Sequence, residues 1–216
     1  MSVTWTASAR SLRGFEILNI GLWLLTAALI ATAFNNDRNY WILLLSWTAV
    51  FPFSTVADEY ALLIRYNPGF RMLFWRCPVM IPFAFGWFFT LPLILVWQSG
   101  IIAQMPLMAQ AGIVFLFFIA WGFFVEVASA SSNLYLYRWP KQWKIGGMPW
   151  PVAVIDGVVH TLTFLLFPII ARFTANMSWP PAVGLGILTY VGMFVAFASF
   201  NWFVIKFLFR VKALPV

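Results

Sequence analysis

Glu126, Ser129, Asn133 and Tyr137 recur at i, i+3, i+7 and i+11, a spacing that lines four polar side chains along one stripe of an α-helix. Asp156, His160 and Thr163 recur at i, i+4 and i+7 and make a second stripe. A carboxyl group in apolar surroundings can keep its proton at neutral pH and serve as a Brønsted acid. Beside aromatic faces, such an acid suits protonation of an alkene or epoxide, because the π-systems steady the carbocation that forms. Aromatic residues make up 20% of the chain, and Phe123, Phe124, Tyr135, Trp150, Phe200 and Trp202 lie close to the polar positions in sequence. Glu126 is the expected acid, with Asp156 and His160 as its partner or base. Isoprenoid lipids are the substrates such a site would suit.

The elements that must carry these stripes follow from composition. Of 216 residues, 63% are hydrophobic and only 9% charged, too few charges to cover a soluble surface. A spanning helix needs roughly 20 apolar residues. The expected fold is an all-α, polytopic transmembrane bundle, a single membrane domain over residues 1–216 with six spans. These fall at about 15–34, 40–64, 72–97, 107–137, 151–173 and 182–209. Arg10, Arg13 and the "ATA" at 31–33 imitate a signal peptide, but the apolar run between them is as long as a full span and reads as the first helix. Pro78, Pro82 and Pro92 should kink the third.

Six spans sort the basic residues eleven to two. Arg10, Arg13, Arg65, Arg71, Arg76, Arg138, Lys141, Lys144, Lys206, Arg210 and Lys212 share one side; Arg38 and Arg172 share the other. The positive-inside bias puts both termini in the cytoplasm, for a multi-pass protein of a bacterial inner membrane or, alternatively, a eukaryotic endomembrane. The net charge of +7 is thereby assigned to helix ends, and nucleic acid is not an expected partner. Cys77 is the one cysteine and His160 the one histidine. That excludes an internal disulfide, a thiolate cluster, a multi-histidine di-iron site and a bis-histidine haem within the chain. No metal and no cofactor are expected.

Depth gathers the polar groups. Asp58 and Glu59 fall near the inner end of the second span, Arg76 one turn inside the third, and Asn201 just before Lys206. Glu126 precedes Tyr137 by a rise of roughly 16 Å. A charge in lipid costs at least about 2.5–3.5 kcal/mol on insertion scales, so these groups should face the bundle or a wet cavity. The expectation is a polar pocket open to the cytoplasm beneath an aromatic roof. Its catalytic set is Glu126, Asp156, His160, Asp58 and Glu59. Its substrate-binding set is Arg76, Ser129, Asn133, Tyr135, Tyr137, Trp150, Thr163, Asn201 and Trp202. Plainer roles compete: interfacial ion pairs for Asp58, Glu59 and Arg76, close helix packing for Ser131 and Ser132, and a hydrogen bond across one turn for His160 and Asp156. "LIRYNPGF" and "LYRWPKQW" look alike, but both leave helices on the same side, and no inverted three-plus-three repeat is visible.

Glu126, the tyrosines at 135 and 137, and "KIGGMPWPVAVIDGVVH" together resemble a pattern of small integral-membrane carotenoid enzymes. In heterodimeric-type lycopene cyclases and CruF-like carotenoid hydratases, an acidic helix residue is followed by a Tyr-containing exit. A G-x-P turn then leads into a helix with further polar residues. Gly147, Pro149 and Asp156 stand in comparable places. The likeness covers residues 126–160. The paired acidic motif of the cyclases is absent after the proline, where Asp156 stands alone. The resemblance implies proton-dependent cyclisation or hydration of a polyene end group. Three functions stay open: a terpenoid- or carotenoid-modifying cyclase, hydratase or isomerase; a non-catalytic subunit holding lipid or pigment against a membrane-protein partner; and a proton-coupled transporter, against which the nearly apolar outer half argues.

Overall fold

A computed structural model describes residues 5–208 and 210; Phe209, the expected end of the last span, and Lys212 lie outside the described residues. The helices are α1 (Ala9–Thr32), α2 (Arg38–Ala49), α3 (Phe51–Tyr60), α4 (Ile81–Gln98), α5 (Leu107–Ser131), α6 (Trp150–Thr174) and α7 (Trp179–Phe203). Among the described residues, α1, α4, α5, α6 and α7 are each long and apolar enough to cross a membrane. The arrangement is that of a mostly helical, multi-pass membrane protein. The expected second span is broken: α2 and α3 meet the same criterion only together, and the chain bends by 49° between them. Pro52 in the first turn of α3 explains the break. It has no N–H to offer the preceding turn, and its ring crowds the carbonyl four residues earlier.

Two further spans are shorter than their apolar runs suggested. The third begins at Ile81 rather than 72, and the fourth ends at Ser131 rather than 137. The residues left over form extended ribbons. β1 (Ile64–Tyr66) pairs antiparallel with β4 (Tyr135–Tyr137), Arg65 opposite Leu136. β2 (Met72–Phe74) turns back on β3 (Cys77–Pro78), and β5 (Lys144–Ile145) on β6 (Met148–Pro149). Left-handed residues switch the chain from helix to strand, Leu63 after α3 and Asn133 after α5, at φ 57° and 54°. Asparagine tolerates that conformation well and commonly closes a helix there. Asn67 N–H to the Leu134 carbonyl (3.0 Å) and Arg138 N–H to the Leu63 carbonyl (2.8 Å) lengthen the β1–β4 ladder.

These elements form a repeat. Helix (α2–α3, α5), strand (β1, β4), hairpin (β2–β3, β5–β6) and helix (α4, α6) follow in the same order twice. One constant sequence offset relates Tyr60 to Ser131, Ile64 to Tyr135, Cys77 to Met148 and Gly86 to Gly157. Leu63 therefore matches Leu134, two residues out of step with the likeness of "LIRY" to "LYRW". The β1–β4 ladder joins the two copies. Around it Leu12, Phe70, Trp139, Met148 and Ile205 bury one core, bringing the start of α1 and the turn after α7 to the ribbon end. A second core fills the bundle around Trp47, which stacks on Phe89 at 4.1 Å between ring centroids.

Candidate active site

Period two in a strand sends alternate side chains to one face. On the β1–β4 ribbon that face carries Ile64, Tyr66, Tyr135 and Tyr137, and all four line a cavity of about 320 Å³ inside the bundle. Three helices add a carboxyl group each: Asp58 from α3, Glu126 from α5 and Asp156 from α6. The remaining wall is overwhelmingly apolar, with Phe85, Trp87 and Phe88 of α4 and Phe194 and Phe197 of α7 among it.

The carboxyls are held differently. Glu126 accepts hydrogen bonds from the hydroxyls of both Tyr135 and Tyr137 on Oε2; Oε1 has no partner among the described residues. Asp58 Oδ2 accepts from the Tyr66 hydroxyl at 2.6 Å. Burial, and then the neighbouring carboxylates, push all three phenols well above the ordinary tyrosine range, so they stay donors. Asp156 Oδ2 is buried with no hydrogen-bond partner. It lies over Gly122 of α5, where a Cβ would come within 2.6 Å of it. That glycine is what lets α5 and α6 close around the acid. An unmet buried carboxyl oxygen costs roughly 1–3 kcal/mol or more, a cost that a bound or reacting group could relieve.

Seven of the residues expected from the sequence therefore meet at the cavity: Asp58, Glu126, Ser129, Tyr135, Tyr137, Asp156 and Asn201. Their routes differ from the expected stripe. Glu126 and Ser129 are on α5, but Asn133 and Tyr137 lie beyond its end, and Tyr137 returns to Glu126 through the strand. Tyr137 is 2% exposed, buried rather than at a rim.

The others sit elsewhere. His160 is fully buried behind the cavity wall, stacked on Phe118 (3.8 Å) and Phe89 (4.4 Å). Its Nδ1 lies 2.8 Å from the Asp156 carbonyl oxygen and its Nε2 3.2 Å from that of Phe88; its hydrogen-bonding partners are these backbone oxygens rather than the Asp156 carboxyl. Glu59 pairs with Arg76 and, at 3.3 Å, with Arg138. Arg76 lies in the β2–β3 turn, not inside a helix. Asn133 donates to Thr6 and offers its carbonyl to Asn67. Thr163 donates to the Val159 carbonyl within α6. Trp150 and Trp202 are exposed, the first stacked on Trp143 and the second beneath Lys206.

Sequence reading missed Tyr66, Asn19 and Glu16. Tyr66 falls just beyond the expected end of the second span at 64, and it is the strand β1 that turns it into the cavity. Asn19 joins the cavity wall and accepts from the Trp87 indole N–H at 2.9 Å. Glu16 is fully buried and clamped by Arg13 (2.6 Å) and Arg71 (2.8 Å), which tie α1 to the segment before β2. Its i, i+3 spacing from Arg13 was a legible signal. Among the described residues no three acidic, histidine or cysteine side chains converge closely enough to hold a metal ion.

No family model, curated protein or solved structure matches this chain.

Proposed function

We propose that the chain is an integral-membrane enzyme that acts on an isoprenoid lipid, a terpenoid or carotenoid, by proton-initiated cyclisation, hydration or isomerisation. It crosses a bacterial inner membrane six times, the bent α2–α3 pair serving as one span, with both termini and the ribbon end cytoplasmic. One observation carries the reading: carboxyl groups from three helices line one cavity whose remaining wall is mostly aromatic and aliphatic. A cavity for a polar solute would present donors and acceptors throughout; this one concentrates acid at one end.

In the proposed reaction a protonated carboxyl, Asp156 or Glu126, gives its proton to a carbon–carbon double bond. The π-electrons form the new C–H bond, a carboxylate remains, and the cation develops against Phe85, Trp87 and Phe88. A double bond of the same substrate can then close a ring. Loss of a proton to a second carboxylate such as Asp58 regenerates an alkene; addition of water, with loss of one of its protons to the same carboxylate, gives an alcohol. Tyr135 and Tyr137 hold Glu126 in place, and Tyr66 holds Asp58.

The test is mass spectrometry of lipid extracts from cells with the wild-type gene, without it, and with Glu126→Gln or Asp156→Asn at matched membrane levels. The expected result is an isoprenoid product present only with wild type. An isoprenoid profile indifferent to the gene, together with a co-purifying membrane complex, would replace the enzyme with a lipid-holding subunit.

A further inference from the structure

The cavity has a polar end against the β1–β4 ribbon and an edge that faces sideways. Its exposed lining residues are Leu18 of α1, Phe124 of α5, 72% exposed, and Ala128 of α5. Leu22 follows Leu18 by one turn and Ala128 follows Phe124 by one turn, so a short apolar row stands on each helix. α1 packs chiefly on α4, and α5 on α6, while α1 and α5 share no extended interface. Both helices are long and apolar enough to span, so this edge meets hydrocarbon. At the other end, Ile64, Tyr135 and Tyr137 of the ribbon are buried and Tyr66 is half-buried, so none of the ribbon's lining residues is exposed.

Size narrows the occupant. The cavity's 320 Å³ is only about twice the roughly 150 Å³ that accommodates a benzene molecule. It can enclose the terminal unit of a long hydrocarbon but not its length.

We infer that the cavity takes one end group of a long-chain, unsaturated, membrane-dissolved lipid, admitted sideways between α1 and α5, with the rest of the chain remaining in the bilayer. The choice of an unsaturated end group rests on the proton-initiated reading; the route of entry does not. Leu18, Leu22, Phe124 and Ala128 form the threshold, and a short water-soluble prenol is a poor ligand because it gains nothing from the lipid side.

The full chain in phosphatidylcholine nanodiscs tests this with two photoreactive squalene analogues, one carrying a diazirine at its end and one at mid-chain. The end label should mark α4 near Phe85 and Phe88; the mid-chain label should mark Leu18–Leu22 and Phe124–Ala128; excess squalene should compete with both. Ala128→Trp should reduce end-label capture in the cavity by about tenfold, a loss of about 1.4 kcal/mol in occupancy. Leu18→Trp should act likewise from the facing helix. Should either bulky variant fail to fold, Leu18→Ala, which widens the edge, should speed labelling. Cavity labelling that ignores all three variants would overturn the inference, as would labelling by a diazirine-bearing short prenol that squalene does not displace. Labelling needs no turnover: lateral capture by a wild-type protein that forms no isoprenoid product leaves the lateral route standing and removes only the catalytic reading.

Discussion

The two copies of the helix–strand–hairpin–helix unit share their order and spacing but divide the chemistry unequally. The first copy contributes one acid, Asp58, with its tyrosine on the following strand. The second contributes Glu126 with two strand tyrosines and adds Asp156. Asp156 stands where the first copy has Phe85, and His160 where it has Phe89. Gly86 and Gly157 match, and each lets a neighbour approach too closely for a Cβ, Trp23 and Thr48 in one copy and Ile119 and Phe115 in the other. The comparison separates scaffold from site: what is common positions helices and ribbon, and what differs puts acid into an aromatic cavity.

Substitutions on both sides break or sharpen that contrast, the largest expected effect first. Asp156→Phe, which makes the second copy like the first, should abolish product, and Asp156→Asn should lower turnover by about 10²–10⁴-fold, the usual worth of a general acid; turnover in reconstituted membranes reads both. Gly122→Ala should follow, because its Cβ would stand 2.6 Å from Asp156 Oδ2. A loss of roughly tenfold or more in turnover with about 1–3 kcal/mol in stability is expected, whereas Gly86→Ala in the other copy should cost stability without changing products. Glu59→Gln removes a buried ion-pair partner of Arg76 and Arg138; denaturation in detergent should register a loss of about 1–3 kcal/mol with product identity intact. Tyr135→Phe and Tyr137→Phe each delete one hydroxyl from Glu126, about 0.5–1.5 kcal/mol apiece. The double variant should lose more than the two combined, since either hydroxyl alone can still hold the carboxylate. Smallest should be the effect of His160→Phe on product distribution, because the ring is part of an aromatic stack behind the wall. Loss of activity from a stably folded His160→Phe protein would return the histidine to the catalytic set.

The phenols give the same contrast a pH axis. Burial and the carboxylates beside them raise Tyr66, Tyr135 and Tyr137. A raised phenol keeps its proton, and therefore its hydrogen bond, up to its elevated pKa; only above that is the bond lost. Ultraviolet titration should show these tyrosines ionising later than a free phenol, and the Tyr135–Glu126 and Tyr137–Glu126 bonds should survive mildly alkaline conditions.

The amino-acid sequence alone determined that this chain is a helical membrane protein, because its scarcity of charge admits no soluble surface. It also marked Glu126, Asp156, Asp58 and Asn201 as polar groups too costly to leave in lipid, and all four line the cavity. It could not fix where helices yield to ribbon. "RMLFWRCPVMIP" and "SSNLYLY" adjoin apolar helices and keep enough apolar residues to read as their continuation, while Asn133 and the closely spaced prolines hint at an end. Helical counting therefore carried Tyr137 onto the wrong element, even though it reached the right acid. The division of His160 and Glu59 from the cavity was equally beyond the sequence. Helical spacing says which side chains share a face, but which neighbour that face meets depends on how separate helices pack. Here packing gave His160 an aromatic stack, Glu59 two arginines and Asp156 a glycine with nothing to bond.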